Sequence, residues 1–177
     1  MSEKIYLGRE PLELQSIVDE CPEVRSISEI SISQSRDGYF AILPDGVTLD
    51  IEAVKLASAK RKAIALSDQI TEEKMACGHK FEGRFYSLSQ NAQINALGTL
   101  NKTLKELEGL TPKTGIPVRT LDSQEVVRMN ASSLRAKAKA AERTKIQILA
   151  ESGVRCEEVI LCDTVEEVEA VVASWNV

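Results

Sequence analysis

The chain has 177 residues, 43% of them hydrophobic, and a formal net charge of −5. That length suits one domain, or one domain with an extension, and the acidic balance argues against a phosphate-binding surface and so against nucleic acid as a partner. Aromatic residues make up only 4%, so alanine and straight-chain residues supply most of the apolar surface, as they do in long helices.

Near the N-terminus, MSEKIYLGREPLELQ lacks the basic-then-apolar order of a signal peptide. No apolar run approaches the length of a membrane-spanning helix, so membrane insertion is not expected. Leu12, Leu14, Ile17 and Val18 fit a short helix over Pro11–Glu20, ended by Cys21-Pro22. Ile27, Ile30 and Ile32 alternate with polar residues, and Tyr39–Leu43 forms a second strand-like run. Asp37-Gly38 between them reads as a hairpin turn, and Pro44-Asp45-Gly46 as another turn.

A long helix is expected from about Asp50 to Cys77. Leu49, Leu56, Ala63, Ile70 and Cys77 recur every seven residues, with Ala59 and Leu66 three positions on. This apolar seam fits a coiled coil, and it equally fits a helix packed on its own domain. Leu56, Ala63, Leu66 and Ile70 are the candidate oligomer-interface residues.

Gly78 reads as the helix C-cap. Phe81, Phe85 and Tyr86 bracket Glu82-Gly83, the pattern of a tight hairpin. Ser87-Leu88-Ser89-Gln90 has capping-box spacing, and Leu97, Leu100, Leu104 and Leu107 follow as one apolar stripe stopped by Gly109 and Pro112. A second hairpin is expected over Ile116–Met129, bending at Leu121–Ser123. Asn130 is a natural N-cap for the Ala-rich helix that follows, and Gly153 is expected to weaken or bend that helix before it resumes through Val159–Leu161. Arg135, Lys139 and Arg143 form a basic strip suited to an acidic partner face, such as Glu106 and Glu108 of a neighbouring copy. Thr164–Glu167 is a capping box, and Val165, Val168, Val172 and Trp175 share one face of a last helix anchored by Trp175. The expected fold is α+β and mainly helical, with long helices alternating with short hairpins, elongated and completed by oligomerisation. Its expected segments are 1–48 for attachment, the long helix 49–77, and a hairpin-helix module over 78–177. Phe85, Tyr86, Leu97, Leu104 and Trp175 are expected to pack that module.

No chemistry-bearing motif stands out. Cys77 and the single histidine, His79, could be a nucleophile and base, but residues two apart at a helix end rarely aim at each other. Cys21, Cys77, Cys156 and Cys162 lack the spacing of a zinc or redox motif. No cofactor, metal or catalytic residue is expected.

The block from Gly78 to Leu100, GHKFEGRFYSLSQNAQINALGTL, resembles a segment of bacteriophage tail proteins. There a G-x-[FY]-[FY]-S-x-[ST]-x-x-A-x-[IN] pattern leads into a helix, followed by a strand pair, an Ala-rich helix and a closing T-x-E-E-[LV] helix. The corresponding parts here are Gly83–Ile94, Ile116–Met129, Ala131–Ala150 and Thr164–Val172, within residues 78–177. The chain departs from the pattern in a longer Gly153–Cys162 stretch, and its N-terminal hairpin region has no counterpart. The resemblance implies a structural part of a tail fibre, baseplate or adaptor, made in the host cytoplasm and located in the virion. It implies association with copies of itself, three by analogy with tail fibres, and with other tail proteins. A tail-fibre assembly chaperone and a small cysteine-dependent enzyme at Cys77 and His79 are the alternatives.

Overall fold

The computed structural model describes residues 4–8, 17, 30–43 and 48–175. The expected turn at Pro44–Gly46 lies outside the described residues, as does the expected helix at Pro11–Glu20 apart from Ile17, which is helical and buried. The described elements are β1 (Lys4–Gly8), β2 (Ser31–Ser35), β3 (Gly38–Ile42), α1 (Ile51–Cys77), β4 (His79–Phe81), β5 (Arg84–Tyr86), α2 (Gln90–Leu100), α3 (Leu104–Leu110), β6 (Ile116–Arg119), β7 (Val126–Met129), α4 (Ala131–Leu161) and α5 (Val165–Ser174). The fold is therefore α+β and mainly helical, as the periodicities anticipated. Contacts divide it into two compact units, Met1–Leu66 with Cys156–Val177, and Ser67–Arg155. This division passes through α1 and α4, whereas the three segments expected from sequence set 49–77 apart.

In the first unit, β3 is the middle strand of an antiparallel sheet ordered β1-β3-β2. The β2–β3 turn is Arg36-Asp37, with Ser35 and Gly38 as its closing pair, one residue earlier than the Asp37-Gly38 reading. Gly38 itself takes φ 141°, which explains why glycine sits at the turn's exit. Leu7, Ile17, Ile30, Ala41, Leu43 and Val54 form one core cluster of this unit. Asp50 starts α1 by accepting the Glu52 and Ala53 amides on Oδ1, both at 3.1 Å. A second cluster joins Ala63 of α1 to Val159, Cys162 and Val168, with Leu56, Ala59 and Trp175 packed against it. Lys60 donates to the Ile160 carbonyl at 2.9 Å. Thr164 caps α5 through the anticipated box with Glu167.

The second unit begins on the later turns of α1. Gly78 ends that helix at φ 78°, its amide donating to the Met75 carbonyl at 3.1 Å. Glu82 and Gly83 take φ 46° and 80°, the left-handed pair of a type I′ turn, whose twist matches the β4–β5 strands. The cap of α2 lies two residues beyond Ser87: Ser89 is the N-cap and accepts the Ala92 amide at 3.4 Å, while Ser87 Oγ accepts the Ser89 amide at 3.0 Å. The stripe expected from Leu97 to Leu107 is not one helix. It breaks at Asn101–Thr103, because Thr103 and Glu106 form a capping box that starts α3. Asn130 Oδ1 accepts the Ser133 amide at 2.8 Å and caps α4 as expected. In contrast to expectation, α4 runs unbroken through Gly153 for 31 residues. Leu88, Ala141 and Ile148 make the core cluster, with Met75 against it. Within this unit α1 and α4 lie antiparallel: Arg155 donates to Ser67 Oγ and Thr71 Oγ1, both at 3.1 Å, and Lys74 pairs with Glu151 at 2.6 Å. That ammonium, followed by Gln147, holds the Glu151 carboxyl below the usual carboxylate range.

Candidate functional site

An interface candidate has to be built from apolar side chains that the chain itself leaves uncovered. On α4 the residues Ala138, Ala141, Ile148 and Arg155 are buried, spaced three, seven and seven apart, and so share the inward face. Ile146, Ala150, Gly153 and Val154 lie roughly opposite that face, and Leu149 lies about a quarter-turn to its side. Ile146, Leu149 and Val154 are 57%, 48% and 53% exposed. A helix that serves only its own core needs one apolar face. This one adds apolar side chains outside that face over Ile146–Val154, following the basic strip of Arg135, Lys139 and Arg143 on the same outer side, and among them are two small residues, Ala150 and Gly153, that would let another backbone approach closely. In the first unit Ile160 and Leu161 of the same helix are also largely exposed.

The candidate interface residues on α1 fare differently. Ala63 is buried in the cluster with Val159 and Val168, Leu56 packs against that cluster, and Ile70 is buried in the second unit. Leu66 is half-buried. Ala63 and Leu66 border a groove of about 680 Å³ in the first unit, walled also by Leu7, Ala59, Val168 and Val172. Much of the heptad seam thus meets the chain's own helices.

Of the side chains expected to pack the 78–177 module, Tyr86 is buried and Trp175 is half-buried at the end of α5. Phe85, Leu97 and Leu104 are each about two-fifths exposed, so their packing role is corrected. For Leu97 and Leu104 the cause is the break between α2 and α3, which removes the shared helical face. Phe85 points to the outer side of a two-stranded hairpin, while its neighbour Tyr86 turns inward.

Cys77 and His79 occupy different environments: the thiol is exposed and the imidazole is 1% exposed. His79 packs against Tyr86, ring centroids 5.8 Å apart, and Lys137 Nζ lies 5.1 Å from the centre of the same Tyr86 ring. Neither His79 nitrogen makes a well-formed hydrogen bond. Burial lowers the imidazole pKa and the nearby Lys137 charge lowers it further, while backbone groups of Tyr86 and Lys137 offset part of this. Burial also lowers the Lys137 pKa and raises that of Tyr86. His79, Tyr86 and Lys137 are thus a packed trio in which burial and the Lys137 charge disfavour the charged imidazole.

Two features went unread in the sequence. The outer face of α4 was legible as a second apolar period, Ile146-x₂-Leu149-x₃-Gly153, beside the Ala141–Ile148 one. Lys137 lies off the basic strip, and nothing local marked it. Arg135 of that strip instead donates to the Lys102 carbonyl, beyond the end of α2. Among the described residues no helix is long and apolar enough to cross a membrane. Comparison with protein-family models, curated proteins and solved structures finds no match.

Proposed function

We propose that this chain is a structural component of a bacteriophage tail, in the baseplate, a fibre or a fibre adaptor. On this reading it works by self-association and by docking to other virion proteins, without catalysis. The observation that carries the assembly reading is the apolar stretch of α4 outside its inward face, with Ile146, Leu149 and Val154 each about half exposed. Complete burial of side chains of this size is worth roughly 1.5–3 kcal/mol each, so covering what remains exposed on three of them contributes a few kcal/mol to association. The assignment to a phage tail is supported by the resemblance of Gly83–Ile94 and the elements after it.

Quantitative mass spectrometry of purified particles tests the tail assignment. The chain is expected at a fixed stoichiometric copy number; its absence from particles whose assembly requires it would instead make it an assembly chaperone. Sedimentation velocity over a dilution series tests association. A reversible oligomer is expected, and the Ile146→Glu, Leu149→Glu double variant should shift it to monomer with the circular dichroism of α4 unchanged. A wild-type chain that stays monomeric at about 0.1 mM would have an association energy no stronger than about 5–6 kcal/mol, and self-association would be discarded.

A further inference from the structure

The second unit holds a pocket of about 330 Å³ beside Tyr86, walled by α2, β6 and the first turns of α4. Its lining includes two cationic residues, Lys137 and, on the exposed face of β6, Arg119, and no Asp or Glu, in a chain with 27 acidic residues and a net charge of −5. Among the described residues neither cation has a carboxylate within salt-bridge distance. Lys137 is half-buried, and its ammonium lies 5.1 Å from the centre of the Tyr86 ring, an aromatic face that attracts it without neutralising it. A half-buried ammonium without a counter-charge is costly to keep in a folded chain. The buried imidazole on the other side of Tyr86 is no counter-charge, since it is neutral or positive. Asn95 adds an amide to the lining, and Leu134, Ile116 and Val118 give it an apolar wall.

We infer that this pocket binds a small free carboxylic acid, its carboxylate on Lys137 and its apolar body against Leu134, Ile116 and Val118. A carboxylate supplies the charge that Lys137 lacks, and the charge-assisted hydrogen bonds it accepts are roughly twice as strong as neutral ones. The apolar wall favours an acid with a short hydrocarbon body over a bare inorganic ion. This site is independent of the outer face of α4 and of the tail assignment.

Nuclear magnetic resonance titration of the full chain tests it, with 4-methylpentanoate, its neutral amide and inorganic phosphate as probes. His79 is the chain's one histidine, so its ring proton is a single reporter on the far side of Tyr86. The carboxylate is expected to shift the His79 ring and the amides of Asn95, Thr99 and Lys137 saturably, and to bind at least about tenfold more tightly than the amide. Lys137→Met should weaken binding about tenfold or more, and Lys139→Met, outside the pocket, should not change it. If Lys137→Met does not fold, Lys137→Gln takes its place, with the same loss expected. Equal binding of carboxylate and amide, unchanged affinity in the pocket variant, or no saturation by about 50 mM (about 1.8 kcal/mol) would overturn the inference. Phosphate binding as tight as the carboxylate would overturn the role of the apolar wall.

Discussion

Adding one methyl group at Gly78 should cost far more than adding the same group at Gly83, five residues away. Both glycines have nearly the same left-handed backbone, φ 78° and 80°. Placing a side chain in that region costs about 1–2 kcal/mol at either site. Their surroundings differ. A Cβ on Gly78 would collide with the Tyr86 carbonyl oxygen and would lie 3.0 Å from Leu121 Cδ2 and 3.1 Å from the Tyr86 carbonyl carbon, whereas a Cβ on Gly83 meets nothing within 4 Å. The obstacle at Gly78 is backbone belonging to β5, so relief requires moving the hairpin, at about 1–3 kcal/mol more. Gly78→Ala is therefore expected to lose about 2–5 kcal/mol and Gly83→Ala about 1–2 kcal/mol. The stiffening of the unfolded chain is similar for both and cancels in the comparison. Urea unfolding, followed together with hydrogen exchange of the β4–β5 amides, measures both losses. Equal losses within about 0.5 kcal/mol would refute the steric argument.

Two further outcomes follow from the second unit. Gly153→Ala should stabilise the chain by about 0.5–1 kcal/mol, because Gly153 lies inside α4 with open space around it, and alanine is the better helix former; a loss in the same urea assay would contradict the uninterrupted helix. Burial, then Lys137, sets the His79 pKa below its ordinary 6.5 in the folded chain. Between that folded value and 6.5 the unfolded chain binds more protons, so stability should fall as the pH drops below 6.5 and level off below the folded value. His79→Phe keeps an aromatic ring against Tyr86 and should remove this part of the pH dependence; an unchanged profile in the variant would show that other groups cause it.

Local chemistry was the more readable part of the fold. Asn130, Thr164 with Glu167, Gly78 and Glu82-Gly83 each declare a helix end or a turn within a few residues, and each is found where its chemistry puts it. Errors arose where two signals competed. The leucine period from Leu97 to Leu107 outweighed Thr103-Leu104-Lys105-Glu106, itself a capping-box sequence, and the cap prevails because it satisfies the amides of a new helix start. Gly153 was given too much weight: its cost of about 1 kcal/mol is small beside the packing of Ala141, Ile148 and Arg155 in the same helix. The two candidate sites divide in the same way. The outer face of α4 is a periodicity and so is visible in sequence, whereas the His79, Tyr86 and Lys137 trio joins residues up to 58 positions apart and needs the fold to assemble it.

The connection between the two hairpins of the second unit bears on how another chain could pair with this one. Phe85 offers its outward backbone groups on the side of β5 away from β4, and both are taken: its carbonyl accepts the Leu121 amide at 2.7 Å, and its amide donates to Asp122 Oδ2 at 3.4 Å. A two-stranded ribbon with a bare edge is a template for adding strands from other chains, the usual route to disordered aggregation. The β6–β7 connection plugs that edge at its middle residue. Growth by strand addition is blocked along β5, which leaves side-chain packing, with its demand for a matching shape, as the way for a second chain to engage this side of the hairpin.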